Sequence, residues 1–326
     1  MTGAAMRAGA IVRWTAGVIG LAVLGALALR ALGPEYVLAQ AAFVFTYAIA
    51  GLGVVLVVGQ CGQIPLGQGA LLGFGAYAET LLALHGVPAP VSLPLAIVLG
   101  AAGGWLASLP ARRLGGLYFA MSTLAFALIV EEALVRWESL TGGAAGLAVP
   151  ALALGSWSAG TAAAQAALSL VALALAGFAC RRWMASRLGR AWRAVREDEL
   201  AAAASGIDIG RAKMLAFVLG GGLSGLAGAL YAHWIGFVSP EQFGLALSFE
   251  LLMLVFIGGA RRLAGALWGA LVVIAIPQAI SLASEALPPD LAAAAGLETT
   301  LFGAVVVAVI VLRPEGLAGR ASRSSS

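Results

Sequence analysis

Apolar residues run through this chain in long stretches, and the few charged residues gather between them. No charged side chain occurs between Tyr36 and Ala78, or between Ser139 and Cys180. Because a membrane-spanning helix needs about 20 mostly apolar residues, such stretches predict membrane spans. Dividing the chain at charges, prolines and glycine clusters predicts ten of them, near 14–32, 36–58, 66–84, 91–109, 115–135, 160–180, 212–234, 245–260, 263–284 and 299–313.

Basic residues gather in alternate loops, which predicts the orientation of these spans. Cytoplasmic loops of membrane proteins carry an excess of Lys and Arg. With ten spans and both termini in the cytoplasm, all but Arg30 and Arg136 of the 19 basic residues lie on the cytoplasmic side. The acidic residues Glu35, Glu138 and Glu241 fall on the opposite side. We therefore predict an all-α polytopic membrane protein, with one transmembrane domain over residues 1–326.

The composition excludes other classes of protein. Charged residues make up 10% of the chain, against about 25% in a soluble domain. Hydrophobic residues make up 61%, and the mean hydropathy is +0.99. The two cysteines, Cys61 and Cys180, imply neither a disulfide framework nor a metal site. The net charge of +4 follows the membrane topology, so we predict no nucleic-acid partner.

One sizeable polar segment, residues 181–213, interrupts the apolar pattern on the cytoplasmic side. Within it, Leu188–Ser205 is rich in Ala, Arg, Glu and Leu, which predicts a single amphipathic helix. Trp192, Val195 and Glu199 recur on one face of it, and a neighbouring polar face carries Arg190, Arg193 and Arg196. Gly206 is expected to end this helix, and Asp208 to cap the next span.

Two interpretations of this polar segment remain open from the residues alone. A short amphipathic helix between spans suits a groove on a partner protein. Alternatively, its arginines set the topology and contact anionic lipid. The acidic run Glu197–Glu199 would be repelled by such lipid.

The stretch Gly59–Gly75 is rich in glycine and contains Pro65 and three glutamines, Gln60, Gln63 and Gln68. Irregular backbone at membrane depth is tolerated where it is buried in protein or lines a wet cavity, and broken helices of this kind often form substrate paths. A tight turn followed by a small-residue packing face at Gly69 and Gly73 is the alternative. We predict a mixture of the two.

Acidic residues within the spans are candidates for function because a charge at mid-bilayer is costly. Glu250 lies inside the eighth predicted span, and it is either a path residue or interfacial. Glu79, Glu131 and Glu132 are expected to be interfacial. Further small-residue pairs, Gly100/Gly104, Gly221/Gly225 and Gly265/Gly269, predict helix packing.

The sequence contains no complete set of residues for an enzyme active site. Gly222-Leu-Ser-Gly225 is similar to the motif of intramembrane serine proteases, whose serine needs a histidine base. The two histidines do not serve, since His233 follows Ser224 by nine residues on the same helix and points away from it. The sequence contains no phosphate-binding loop, zincin motif or dinucleotide fingerprint. We predict a protein that is not an enzyme and needs no cofactor.

Several segments together resemble the permease subunit of branched-chain amino acid ABC importers, of the LivM type. The resemblance begins with Gly51-Leu-Gly, followed by Gly-Gln-Ile-Pro-Leu-Gly at 62–67, and ends with Arg-Pro-Glu-Gly-Leu at 313–317. Between these lie Gly73–Tyr77, Gly116–Phe126, Trp137–Gly143, Gly189–Glu199, Gly206–Asp208, Leu226–His233 and Ser239–Glu241. Permease coupling loops often have Glu where this chain has Leu200.

The resemblance implies a multi-pass protein of the bacterial inner membrane that imports branched-chain or similar apolar amino acids. Its implied partners are a second, LivH-like permease, two cytoplasmic ATPases, an extracytoplasmic substrate-binding protein and membrane lipid. The 181–213 loop would be the coupling loop. The predicted ATPase-coupling residues are Arg193, Arg196, Glu197, Asp198, Glu199 and Gly206, and the predicted path residues are Gln60, Gln63, Gln68 and Glu250.

Two rival functions stay open at this point. A related permease could carry urea or short amides, because the binding protein that selects the substrate is a separate chain. An ion-coupled secondary transporter would need a buried carboxylate, for which Glu250 is the candidate, but it would have no use for a docking helix.

Overall fold

The computed structural model describes residues 34–110, 114–154 and 157–284, with short stretches at 303–304, 307–308, 311–313 and 315–318. Helices dominate this part of the chain. The first six are α1 Glu35–Val54, α2 Gln68–Leu84, α3 Ala89–Ser108, α4 Gly116–Arg136, α5 Glu138–Thr141 and α6 Ala162–Ala185. They are followed by α7 Arg187–Glu197, α8 Glu199–Ala204, α9 Ile209–Ile235, α10 Leu245–Gly258 and α11 Leu263–Ser284.

Two kinds of irregular turn extend this framework. A π-helical turn, Val55–Gln60, continues α1, and 3-10 turns occupy Gly143–Ala145 and Pro240–Phe243. Four two-residue strands form two antiparallel pairs. Strand β1, Leu147–Ala148, pairs with β4, Phe237–Val238, and β2, Ala153–Leu154, pairs with β3, Trp157–Ser158.

The second to ninth predicted spans each coincide with a helix. Six helical segments of the described part are long and apolar enough to cross a membrane: Glu35–Gln60, Ala89–Ser108, Gly116–Arg136, Ala162–Ala185, Ile209–Ile235 and Pro240–Gly258. A shorter apolar stretch, Leu263–Gln278, belongs to α11. The prediction of an all-α polytopic membrane protein is therefore confirmed. The predicted first span, 14–32, lies outside the described residues, as does most of the tenth, 299–313.

Helix α9 lies at the centre of the bundle and packs against α1, α2 and α3. Glycines allow the close approach. A Cβ atom added at Gly221 would lie 2.5 Å from the carbonyl oxygen of Gly100, and one at Gly104 would lie 2.2 Å from that of Phe217. The predicted packing role of these glycine pairs is confirmed.

The other small-residue pairs also bring backbones together. A Cβ atom at Gly69 would lie 2.7 Å from the carbonyl oxygen of Gly244, in the turn before α10. At Gly269 it would lie 1.8 Å from the carbonyl oxygen of Leu254, so α11 packs directly on α10.

The predicted single helix over 188–205 is wrong, because the chain breaks at Asp198. This residue has extended backbone angles, and its carboxylate accepts hydrogen bonds from the backbone N–H groups of Leu200 and Ala201 at 2.8 and 3.0 Å. Aspartate favours such capping over the interior of a helix. It therefore ends α7 and starts α8.

The predicted end of the helix at Gly206 and the cap at Asp208 are confirmed. Gly206 has a φ of +80°, and the N–H groups of Gly206 and Ile207 donate to the carbonyl oxygens of Ala203 and Ala202. This is the pattern of a Schellman motif, in which a left-handed residue closes the helix. Asp208 then accepts a hydrogen bond of 2.8 Å from the N–H group of Arg211 and so begins α9.

Helix α9 separates the two polar ends of the bundle. Its 27 residues span about 40 Å, since an α-helix rises about 1.5 Å per residue. Helices α7 and α8 lead into its first residue, and strand β4 follows its last. We call the end that carries α7 and α8 the coupling end, and the other the strand end.

Candidate functional site

An ion pair between a buried lysine and a partly exposed glutamate anchors α8 to the coupling end of the bundle. Lys213 Nζ lies 2.8 Å from Glu199 Oε1 and donates a hydrogen bond of 2.9 Å to Oε2. The Lys213 side chain is 2% exposed, whereas that of Glu199 is 41% exposed. Gln63 Nε2 donates a weaker hydrogen bond of 3.4 Å to the same carboxylate. A buried ammonium group needs such a partner, so Glu199 belongs to the interior contacts of the loop.

The arginines of α7 also turn toward the bundle. The guanidinium group of Arg196 donates to the carbonyl oxygen of Gly59, and that of Arg193 donates to Met184 at 3.1 Å. Burial and the nearby charge of Arg261 lower the pKa of Arg196 from its usual value. These side chains therefore join α7 to neighbouring backbone.

The remaining coupling residues face outward. Glu197, Asp198 and Gly206 are exposed. So is Leu200, whose side chain is 83% exposed on α8. The predicted coupling residues thus divide into an inward set and an outward set. Ala201, Ala203 and Ala204 extend the outward surface of α8.

The three glutamines predicted to line a path are buried and hydrogen bonded. Gln60 Nε2 donates to the carbonyl oxygen of Arg261 at 3.3 Å, and Gln68 Nε2 donates to Ser224 Oγ at 2.7 Å. Gln63 contacts Glu199, as described above. In this conformation all three side chains connect neighbouring segments. Gln68 Oε1 is buried with no hydrogen-bond partner among the described residues.

Glu250 lies in α10, where its side chain is half-buried. Helix α10 packs against α1, α2 and α11, so the predicted path carboxylate lies on a helix that contacts three others.

A polar cluster at the strand end was not predicted. His233 Nε2 lies 3.0 Å from Glu79 Oε1, and Ser92 Oγ donates to the same oxygen at 2.7 Å. The other ring nitrogen of His233 lies 2.9 Å from the carbonyl oxygen of Pro150. Glu79 is 1% exposed, so the protein buries this carboxylate at the strand end. The signal in the sequence was a lone carboxylate in an apolar span together with one of only two histidines.

An apolar cavity of about 330 Å³ lies between α2, α3, α4 and α5. Its lining includes Phe74, Leu81, Leu99, Val130 and Leu134. The hydroxyl group of Tyr77, also in the lining, is buried with no hydrogen-bond partner among the described residues. Such a cavity suits an aliphatic group, whereas the charged groups of an amino acid would be left unpaired there.

Comparisons with known proteins identify the family. Residues 36–312 match the family described as "Branched-chain amino acid transport system / permease component". The chain is 34% identical over 299 residues to the high-affinity branched-chain amino acid transport system permease protein LivM of Salmonella typhimurium, covering 83% of this chain and 67% of the relative. It is 32% identical to LivM of Escherichia coli, with the same coverage.

A second kind of permease is also similar. The chain is 27% identical over 297 residues to LivH of Escherichia coli, covering 84% of this chain and 92% of the relative. No solved structure matches the chain. The match to the family profile extends from α1 to the stretch after α11, and so includes both polar ends of the bundle and the loop between α6 and α9. The chain therefore belongs to the family of permease components of branched-chain amino acid transport systems.

Proposed function

We propose that this chain is the membrane-spanning subunit of an ATP-driven importer for branched-chain or similar apolar amino acids, and that its outward α8 surface docks on an ATPase subunit. Permeases of this family are multi-pass proteins of the bacterial inner membrane and are not enzymes. The observation that carries the docking role is the exposure of Leu200 on a helix that is capped at both ends.

The shape of α8 suits insertion into a groove. Asp198 caps its start and Gly206 closes its end, so this short helix is fixed by local contacts. An exposed leucine flanked by alanines gives it a small apolar surface. Apolar anchors of this kind contribute most to binding when they fill a pocket on a partner.

Charge favours a protein partner over a lipid surface for α8. Glu197 and Asp198 are exposed beside Leu200. The cytoplasmic leaflet carries a negative surface potential, which would repel these carboxylates. The inward arginines of α7 are also unavailable to lipid, since Arg193 and Arg196 bind backbone carbonyl groups.

We further propose ten spans with both termini in the cytoplasm and one transmembrane domain that contains the 181–213 coupling loop. The support is the distribution of basic residues over the predicted loops. In this orientation the coupling end faces the cytoplasm, and the strand end faces the substrate-binding protein. The proposed assembly has a second, LivH-like permease and two ATPases, supported by the similarity to separately named LivM and LivH permeases.

The path residues remain predictions. Gln60, Gln63, Gln68 and Glu250 are proposed to face the substrate in a state in which the helices have separated. The free acceptor on Gln68 and the half-buried carboxylate of Glu250 support this. Family membership favours an ATP-driven importer over an ion-coupled transporter.

The test of docking compares two variants of the chain, co-expressed with its partner subunits. Leu200→Asp should reduce the amount of co-purifying ATPase on the order of tenfold, because a charge replaces the apolar anchor. Replacing the exposed Arg187 and Arg190 with Ala is the matched control and should leave the ATPase bound. An unchanged amount of ATPase in the Leu200→Asp variant would contradict docking through α8.

Substrate class needs a separate experiment. Vesicles that contain the importer and its binding protein should take up labelled leucine, isoleucine or valine when ATP is supplied on the cytoplasmic side. Uptake of labelled urea in place of these amino acids would contradict the proposed substrate class.

A further inference from the structure

The segment 59–67, which joins α1 to α2, is held from several sides at the coupling end. It begins within the π-helical turn, a rare element that often occurs at functional sites. A Cβ atom added at Gly59 would lie 1.7 Å from the carbonyl oxygen of Ala260, and Gln60 binds the carbonyl oxygen of Arg261. The start of the segment is therefore packed on the turn between α10 and α11.

Arg196 holds this segment from the side of α7. Its guanidinium group donates a hydrogen bond to the carbonyl oxygen of Gly59. Its Cγ atom is so close to Gly62 that a Cβ atom added there would lie 2.7 Å from it. Gly62 has a φ of +74°, a conformation that favours glycine. The backbone of the segment thus lies directly against the Arg196 side chain. A movement of this side chain would therefore move the segment.

Glu199 holds the same segment from the side of α8. Its carboxylate contacts Gln63 at 3.4 Å and Lys213 at 2.8 Å, and so joins α8 to the segment and to the second turn of α9. Arg196 and Glu199 flank the helix break at Asp198. Two contacts, one from each side of the break, therefore converge on residues 59–63.

The far end of the segment is attached to α4. The N–H group of Leu66 donates to Thr123 Oγ1 at 3.0 Å, and a Cβ atom at Gly67 would lie 2.6 Å from the carbonyl oxygen of Thr123. Helix α4 presents Leu117, Tyr118 and Ile129 outward. A movement of the segment would therefore displace a helix that is only loosely packed on the bundle.

We infer that Arg196 and Glu199 are positioning residues that transmit movement of α8 to the segment 59–67 and through it to α4. This inference rests on the docking role proposed for α8. Positioning residues of this kind act through the segment and not by contact with the substrate. Their role is to make the segment follow the helix that an ATPase displaces, while Lys213 keeps the Glu199 carboxylate in place.

The experiment measures amino acid uptake per ATP hydrolysed by the assembled importer in vesicles. Glu199→Leu removes the acceptor of Gln63 and Lys213, and it should lower this ratio about tenfold, a usual size for coupling between sites, while leaving the amount of bound ATPase unchanged. Glu197→Leu is the matched control, because that carboxylate is exposed and lies 3.9 Å from Arg196, and it should retain the wild-type ratio. If Glu199 only stabilised the fold, its loss would lower the number of assembled importers, and uptake and ATP hydrolysis would fall together.

Two further variants guard against a folding defect. Glu199→Leu leaves the buried Lys213 charge without its partner, so the double variant Glu199→Leu, Lys213→Met removes both charges and should show the same low ratio. Arg196→Leu removes the guanidinium group that donates to Gly59 and should also lower the ratio, because it breaks the other contact with the segment.

The possible outcomes are distinct. If the wild-type importer binds ATPase but Glu199→Leu keeps the wild-type ratio, the inference is overturned and docking stands. If Arg196→Leu keeps the wild-type ratio, Arg196 takes no part in the transmission. If the wild-type chain binds no ATPase, docking and the inference both fail.

Discussion

His233 and Glu79 join α9 to α2 through a buried contact of 3.0 Å between Nε2 and Oε1. The other ring nitrogen of His233 faces the carbonyl oxygen of Pro150. Because a carbonyl group only accepts hydrogen bonds, this nitrogen carries a hydrogen. The pair is therefore a buried polar link between two helices and the loop that carries Pro150.

The first prediction concerns the stability of this link. Glu79→Gln keeps a group that can donate to His233 Nε2 and should change thermal stability little. Glu79→Leu leaves His233 Nε2 and the Ser92 hydroxyl without their hydrogen-bond partner, at a cost of about 1–3 kcal/mol. Thermal unfolding in detergent, followed by tryptophan fluorescence, compares the two. Equal losses in both variants would contradict the hydrogen-bonding account.

Cys61 offers a second prediction, because it lies inside the segment 59–67. Its side chain is buried, and burial raises the pKa of its thiol to about 12. Thiolate is the reactive form, and the raised pKa keeps it scarce until the pH approaches that value. The folded protein with Cys180→Ser should therefore resist maleimide at pH 8.

The same cysteine reports on movement of the segment. If the segment separates from α7 during ATP hydrolysis by the assembled importer, the rate at which maleimide labels Cys61 should increase. With a nucleotide analogue that is not hydrolysed, this labelling rate should stay constant. Rapid labelling of the resting protein would contradict the observed burial.

The third prediction tests the glycine contact between α9 and α3. Gly221→Ala places a methyl group 2.5 Å from the carbonyl oxygen of Gly100 and should destabilise the protein by about 1–3 kcal/mol. Gly177→Ala in α6 is the control, because nothing lies within 4 Å of the added atom. That change should be neutral or stabilising by up to about 1 kcal/mol. Similar unfolding temperatures for the two variants would contradict the close approach.

The fourth prediction separates a path role of Gln68 from its hydrogen bond. Gln68→Leu should lower transport without loss of assembly, because the amide is lost from the proposed path. Ser224→Ala removes the partner of the 2.7 Å hydrogen bond and leaves the amide in place. Transport should survive this second change. Equal transport by Gln68→Leu and the wild-type protein would remove Gln68 from the path.

The sequence predicted those features that depend on local pattern. The lengths of the apolar stretches and the positions of the charges predicted α1, α3 and α9, because a span must be long and apolar enough to cross the bilayer whichever helices it packs against. Gly206 and Asp208 ended and began helices as expected, since both act through their own backbone neighbourhood. The break at Asp198 was not predicted, because the surrounding residues favour a continuous helix whereas the aspartate side chain favours capping a new one. Composition alone does not show which of the two effects is stronger.

Contacts between distant residues account for the other differences. Nothing in the order of residues pairs Glu79 with His233, or Gln63 with Glu199. The inward and outward sets of coupling residues were likewise indistinguishable on a single predicted helix. The break at Asp198 changes the direction of the side chains that follow it, and only the folded loop separates Glu199, which binds Lys213, from Leu200, which faces outward.

The central position of α9 also has a consequence for biosynthesis. Helices α2 and α3 are made early, yet their glycine faces are completed by α9, which follows only after α4 to α8 have been made. Until then the carbonyl groups around Gly100 and Leu72 have no protein neighbour from α9. The bundle therefore closes late in translation, and its folding depends on contacts between parts of the chain that are far apart in sequence.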